Sequence, residues 1–96
     1  MKAIHPGRIL KRELSSRNLS ANKLALAIRV PSGRITQILN EKRGITAETA
    51  MRLSRYFGNS ALFWLNLQSR YELAVAERDF GARIDSEIGM SAQVQL

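Results

Sequence analysis

SANKLALAIRVPSGRITQILNEKRGIT, residues 20–46, divides into a helix, a tight turn, a second helix and a basic loop. Ser20 is a good N-cap, because its hydroxyl accepts from a free N–H of the first helical turn. Leu24, Ala25 and Ile28 recur at helical spacing and give one apolar face. Pro31 ends that pattern, since it lacks an N–H and restricts Val30 before it. A second short helix is predicted over residues 32–39, with Ile35, Ile38 and Leu39 turned inward. Ser32, Gly33, Arg34, Thr36 and Gln37 are left on the outer face. A short helix that presents arginine, threonine and glutamine suits the hydrogen-bonding edges of bases in a DNA major groove.

The candidate contacts sort by task. Arg34 fits a bidentate contact to guanine and Gln37 one to adenine. Thr36 could meet a thymine methyl or a phosphate, and Ser32 a phosphate or a base edge. Gly33 weakens the helix by up to about 1 kcal/mol relative to alanine, yet it permits close approach to the groove. Lys23, Arg29, Lys42 and Arg43 are the expected phosphate contacts, with Asn22 as a neutral donor.

Working outward, the chain reads as further helices joined by short turns. Pro6 can open a first helix at its N1 position, with Ile9, Leu10 and Leu14 inward and Arg8, Lys11, Arg12 and Arg17 outside. Thr46 caps a fourth helix and Gly58 lies just past its end, where a left-handed residue commonly stops a helix. Met51, Tyr56 and Phe57 are expected to pack into the core. Ser60 caps a fifth helix expected to run over about residues 61–79. No run alternates apolar and polar residues in the manner of a strand, so the fold class is all-α. Residues 1–80 make one DNA-binding domain that includes this fifth helix. Residues 81–96 form a short C-terminal tail, either frayed or partner-binding.

The apolar residues of ALFWLNL cover nearly the whole circumference of the fifth helix. Such a helix is buried on more than one side. One side can pack on the other helices. The second is expected to meet the same helix of another copy, with Leu62, Phe63, Trp64 and Leu65 as the dimer interface. Two-fold proteins of this kind read two half-sites about one DNA turn apart.

Charge placement agrees with this reading. The net charge is +7, yet residues 1–46 alone carry ten Lys or Arg against two Glu, while residues 47–96 are close to neutral. Basic charge gathered around a helix pair is the electrostatic footprint of a nucleic-acid binder. The absence of cysteine removes disulfides, thiol catalysis and cysteine-ligated zinc, and fits a reducing cytoplasm. No apolar run is longer than Ala61–Leu65, which is too short to span a bilayer. A soluble cytoplasmic protein with no membrane partner, no cofactor and no metal is expected.

Nothing points to an enzyme. His5 is the single histidine and has no carboxylate or second histidine beside it in sequence. Its expected role is to orient the start of the first helix. Ser15 and Ser16 lack a nearby base, so no hydrolase triad is supported. No glycine-rich phosphate loop is present.

The stretch from Leu24 to Thr46 resembles the helix-turn-helix of the Xre and phage Cro/C1 repressor group. Leu24-Ala25, Val30, Ile35-Thr36 and Ile38-Leu39-Asn40 stand where that pattern has its packing and turn residues. His5-Pro6-Gly7 with Leu10, Phe63-Trp64-Leu65-Asn66-Leu67-Gln68, and the join from Asn40 to Thr46 are similar to the HigA branch of antitoxins. The similarity covers roughly residues 4–79. It implies a compact five-helix bundle of the lambda-repressor-like type. It also implies a dimeric repressor of its own operon, bound to an inverted repeat in operator DNA. A further implication is that such a protein neutralises a small HigB-like toxin, a RelE-like mRNA endoribonuclease. The rival reading is a stand-alone Xre-type regulator without a toxin. The chain departs from the pattern at Arg29, where many Xre sequences have glycine. Either the turn geometry differs slightly, or Arg29 tolerates a left-handed backbone and offers a phosphate contact.

Overall fold

The computed structural model describes residues 2–90. It contains helices α1 (Pro6–Ser16), α2 (Ala21–Ile28), α3 (Ser32–Leu39), α4 (Ala47–Phe57) and α5 (Ala61–Glu87), with no strand among the described residues. The all-α, five-helix expectation holds.

The caps explain most of the boundaries. Ser20, Thr46 and Ser60 each accept from the N–H three residues on, at Lys23, Thr49 and Phe63 respectively. Each satisfies a donor that the first turn leaves open. Gly58 ends α4 with φ 79°, the left-handed conformation that glycine adopts without a Cβ clash.

One core joins all five helices. It is built from Leu10 and Leu14 of α1, Leu24, Ala25 and Ile28 of α2, and Ile35 and Ile38 of α3. Ile45, Ala50 and Leu53, and then Trp64 of α5, complete it. Trp64 is fully enclosed, and its indole N–H donates to Asn59 Oδ1 at 3.0 Å. That bond satisfies the one polar atom of a side chain otherwise suited to burial.

Several expectations need correction here. Trp64 is 0% exposed within the single chain, so it has no surface left for a dimer contact. Leu65 is half-buried against the same core, whereas Leu62 and Phe63 remain 65% and 41% exposed. Met51 and Tyr56 are exposed rather than packed in the core. The buried face of α4 is Thr49, Ala50, Leu53 and Ser54. At about 100° per residue, Met51 and Tyr56 lie roughly a quarter to a third of a turn away from its centre. Phe57 is where expected, half-buried against the core with its ring under the Arg17 guanidinium.

Helix α5 runs eight residues past its expected end at Asp79. Gly81 does not stop it, although glycine inside a helix costs about 1 kcal/mol relative to alanine. The Glu77 carboxylate lies over Gly81, where a Cβ would stand 2.7 Å from it. Arg83 sits over the Phe80 ring on the next turn. The helix closes at Ile88, whose backbone is extended. Residues 81–87 are therefore helix, not tail. The part of the expected tail at 91–96 lies outside the described residues.

Candidate nucleic-acid interface

The turn between α2 and α3 sets the angle at which α3 is presented. Arg29 adopts φ 60°, ψ 49°, so the left-handed alternative is the one realised. Its N–H donates to the Leu26 carbonyl, and the Val30 N–H reaches back to the Ala25 carbonyl at 3.0 Å. This pair of bonds is the Schellman closure normally made with glycine. The Ile28 carbonyl is satisfied from outside, by Arg52 Nη1 at 3.0 Å, while Arg52 also pairs with Glu48. Arg52 thus ties the turn to α4. A side chain that crosses 24 positions to reach a backbone oxygen leaves no mark in local periodicity, and the sequence reading did not find it.

On α3, Ile35 and Ile38 are buried and Leu39 is half-buried. Ser32, Gly33, Thr36 and Gln37 are exposed and Arg34 is half-exposed. These five residues therefore share the outward side of α3, as the spacing requires. Pro31 stands at the N-cap and gives no side-chain cap bond. The Arg34 N–H donates to the Pro31 carbonyl at 3.0 Å, and the N–H groups of Ser32 and Gly33 before it have no side-chain acceptor at the positive end of the helix dipole.

Basic residues precede and follow this helix in the chain. Asn22 and Lys23 are exposed on the first turn of α2, and Arg29 is exposed at the turn. Lys42 is exposed in the loop after α3, its N–H donating to the Gln37 carbonyl at 2.8 Å. Arg43 is exposed too, but its Nε–H donates to Gln37 Oε1 at 2.8 Å. Arg43 therefore folds back onto the outer face of α3.

Two short motifs hold this surface in place. At the N-terminus, His5 caps α1 by accepting from the Gly7 N–H through Nδ1 at 2.9 Å. This is the orienting role expected of it. The imidazole is buried, with its ring edge-on to Tyr71 at 4.8 Å between centroids. Burial lowers its pKa below the ordinary 6.5, opposed in part by the Glu41 carboxylate. Gly7 lies directly against the Ile38 carbonyl, and a Cβ there would overlap that oxygen. The backbones of α1 and α3 thus meet without a side chain between them. Arg8 pairs with Glu41 at 3.2 Å across the same junction.

The second motif is on α5. Gln68 Oε1 accepts from the Ile45 N–H at 2.8 Å, and its amide fills the space beside Gly44 that a Cβ would need. The loop carrying Lys42 and Arg43 is fastened to α5 at that point. Gln68 was visible in sequence only as part of a motif, since a glutamine on a helix carries no sign of a loop contact.

An exposed polar helix, set on a closed turn by a second helix inside an all-α core, defines a helix-turn-helix protein. The chain belongs to that family: a family model described as helix-turn-helix matches residues 10–65. Virulence-associated protein I of Dichelobacter nodosus is 55% identical over 80 residues, covering 82% of this chain and 74% of that protein. An addiction module antidote protein of a HigA family from Coxiella burnetii superposes with a TM-score of 0.91 at 44% identity, over 95% of this chain and 100% of that one. The Pseudomonas aeruginosa antitoxin HigA, solved with the higBA promoter, gives 0.89 at 44% identity, over 97% and 100%. These likenesses agree with the HigA-type motifs at both ends of the domain. The family is one of helix-turn-helix antitoxins and regulators, not of enzymes. Among the described residues no helix is long and apolar enough to cross a membrane.

Proposed function

We propose that this chain is the antitoxin of a two-gene toxin–antitoxin pair and a repressor of its own operon. It acts as a dimer on an inverted repeat in operator DNA, and it neutralises a small RelE-like mRNA endoribonuclease of the HigB type. The observation that carries the DNA half is the outward polar face of α3, flanked by Lys23, Arg29 and Lys42. The likeness to an antitoxin solved with a promoter supports the same reading.

In this reading Arg34 reads guanine through its paired donors and Gln37 contributes a second base contact. Thr36 and Ser32 lie against a thymine methyl, a base edge or a phosphate, and Gly33 lets the backbone approach. Asn22, Lys23, Arg29 and Lys42 hold phosphates and set the register. The dimer rests on exposed apolar residues of α5. Leu62 and Phe63 remain from the interface expected at residues 62–65, with Leu65 at its edge. Leu73, Phe80 and Ile84 extend an exposed apolar series along the helix.

Two experiments test the two halves. Size measurement with and without a duplex of the chain's own promoter should give a dimer bound to one inverted repeat. A monomer in both conditions would refute the dimer. Co-expression with the small gene beside it should restore growth that the neighbour alone arrests. Sequence-selective DNA binding without growth rescue would leave a stand-alone regulator.

A further inference from the structure

From the sequence Arg43 is expected only to contact a phosphate, yet its guanidinium is bonded to a side chain assigned to base reading. Arg43 Nε–H donates to Gln37 Oε1 at 2.8 Å. A guanidinium has no acceptor, and a carboxamide has one acceptor atom and one donor atom. The bond can therefore form in only one rotation of the Gln37 amide. That rotation turns Oε1 toward the loop and leaves both Nε2 hydrogens for the groove.

We propose that Arg43 is a positioning residue that fixes the base preference of Gln37, by holding its amide donor-outward. The inference rests on the reading of α3 as the DNA-contacting helix. An unrestrained glutamine can offer either its donor or its acceptor to a base edge. It therefore tolerates the acceptor edges of guanine, adenine and thymine and the donor edge of cytosine alike. With Arg43 on Oε1, the outward group is a donor. The base it selects presents a major-groove acceptor, N7 or O6 of guanine, N7 of adenine or O4 of thymine. Cytosine, whose N4 amino group is a donor, is rejected because two donors would face each other.

The loop is built to keep Arg43 in reach. The Lys42 N–H is bonded to the Gln37 carbonyl, which closes the chain back on α3 one residue before Arg43. The Ile45 N–H is fastened to Gln68 two residues after it. Gly44 between them packs against the Gln68 amide where no side chain fits. The Arg43 backbone is thus held on both sides, which limits the ordering cost of the side-chain bond.

The test uses the full chain and duplexes of its own promoter's inverted repeat. The base pair read by Gln37 is located first, as the position whose preference is lost in Gln37→Ala. Four duplexes carrying each base there are then titrated with wild type, Arg43→Ala, Arg43→Lys and the double variant Gln37→Ala/Arg43→Ala. For Arg43→Ala the expected result is at least about a fivefold loss of discrimination against cytosine at that one position. Preferences elsewhere should be unchanged. In the Gln37→Ala background, removing Arg43 should change no base preference. Arg43→Lys keeps a cation that has donors and no acceptor, so it should keep the wild-type salt slope and lose less discrimination than Arg43→Ala. A uniform loss across all four duplexes, with the salt slope lower by about one, would make Arg43 a phosphate contact only and overturn the proposal. Wild type that binds every duplex alike would overturn the reading of α3 itself, a different result from selective wild type with an equally selective Arg43→Ala.

Discussion

Gly7→Ala and Gly33→Ala make the same chemical change in two short helices, and the fold assigns them opposite signs. Each replaces glycine by the best helix former, which in an open position gains up to about 1 kcal/mol. At Gly33 an added Cβ meets nothing within 4 Å, so this gain should be realised. At Gly7 the Cβ overlaps the Ile38 carbonyl oxygen and stands 3.0 Å from its carbon. Backbone cannot rotate away as a side-chain tip can, so α1 and α3 must separate. Overpacking of this kind costs about 1–3 kcal/mol, and a main-chain obstacle belongs at the upper end. Set against the propensity gain, Gly7→Ala should lose about 2 kcal/mol. In a domain of this size that lowers Tm by about 8–16 °C. Gly33→Ala should raise Tm by a few degrees while weakening operator binding, because its methyl projects from the DNA face. Thermal unfolding of both variants followed by circular dichroism checks the pair. A Tm for Gly7→Ala equal to or above wild type would refute the backbone contact between α1 and α3, and with it the account of His5-Pro6-Gly7.

Other expectations follow from single contacts. The buried His5 has a lowered pKa, so the unfolded chain binds its proton more readily than the fold does. Stability should therefore be full above the ordinary value of 6.5 and should fall as pH drops from there through the folded pKa. His5→Asn keeps a capping acceptor and should remove that dependence in urea titrations between pH 5 and 7, on the order of the usual histidine range. Persistence of the slope in His5→Asn would place its source elsewhere. Arg29→Gly relieves a left-handed arginine worth about 1–2 kcal/mol, so unfolding free energy should rise while the salt slope of DNA binding falls by about one. A less stable Arg29→Gly would contradict the turn geometry. Trp64→Ala should lose about 3–5 kcal/mol and disrupt folding, because the indole is core. A folded, stable monomer would return Trp64 to the dimer surface.

Much of this was legible in the sequence, for physical reasons. Ser20, Thr46, Ser60 and Gly58 mark helix ends because capping chemistry is local. Ile35 and Ile38 fix which side of α3 is hidden, and the exposed residues follow by elimination. Trp64 misled because an apolar residue reads alike whether it faces its own core or a partner. Met51 and Tyr56 misled because three of the four buried residues of α4, Thr49, Ala50 and Ser54, are small or polar and give a weak periodic signal. The length of α5 was missed because Gly81 was weighed without Glu77 lying over it. Arg52, Gln68 and the bond from Arg43 to Gln37 escaped local pattern altogether. Each joins segments whose proximity only the fold creates.

In the proposed function α3 reads a specific operator through Arg34. The most direct measurement is a titration of wild type and Arg34→Ala on a duplex of the chain's own promoter and on a scrambled duplex, across a range of salt. The account predicts a wild-type preference for the promoter of at least about a thousandfold and an affinity that falls steeply with salt. It predicts that Arg34→Ala loses roughly 1–3 kcal/mol of that preference while keeping most of the salt dependence. Equal binding to both duplexes by wild type, or an Arg34→Ala variant with undiminished preference, would contradict it.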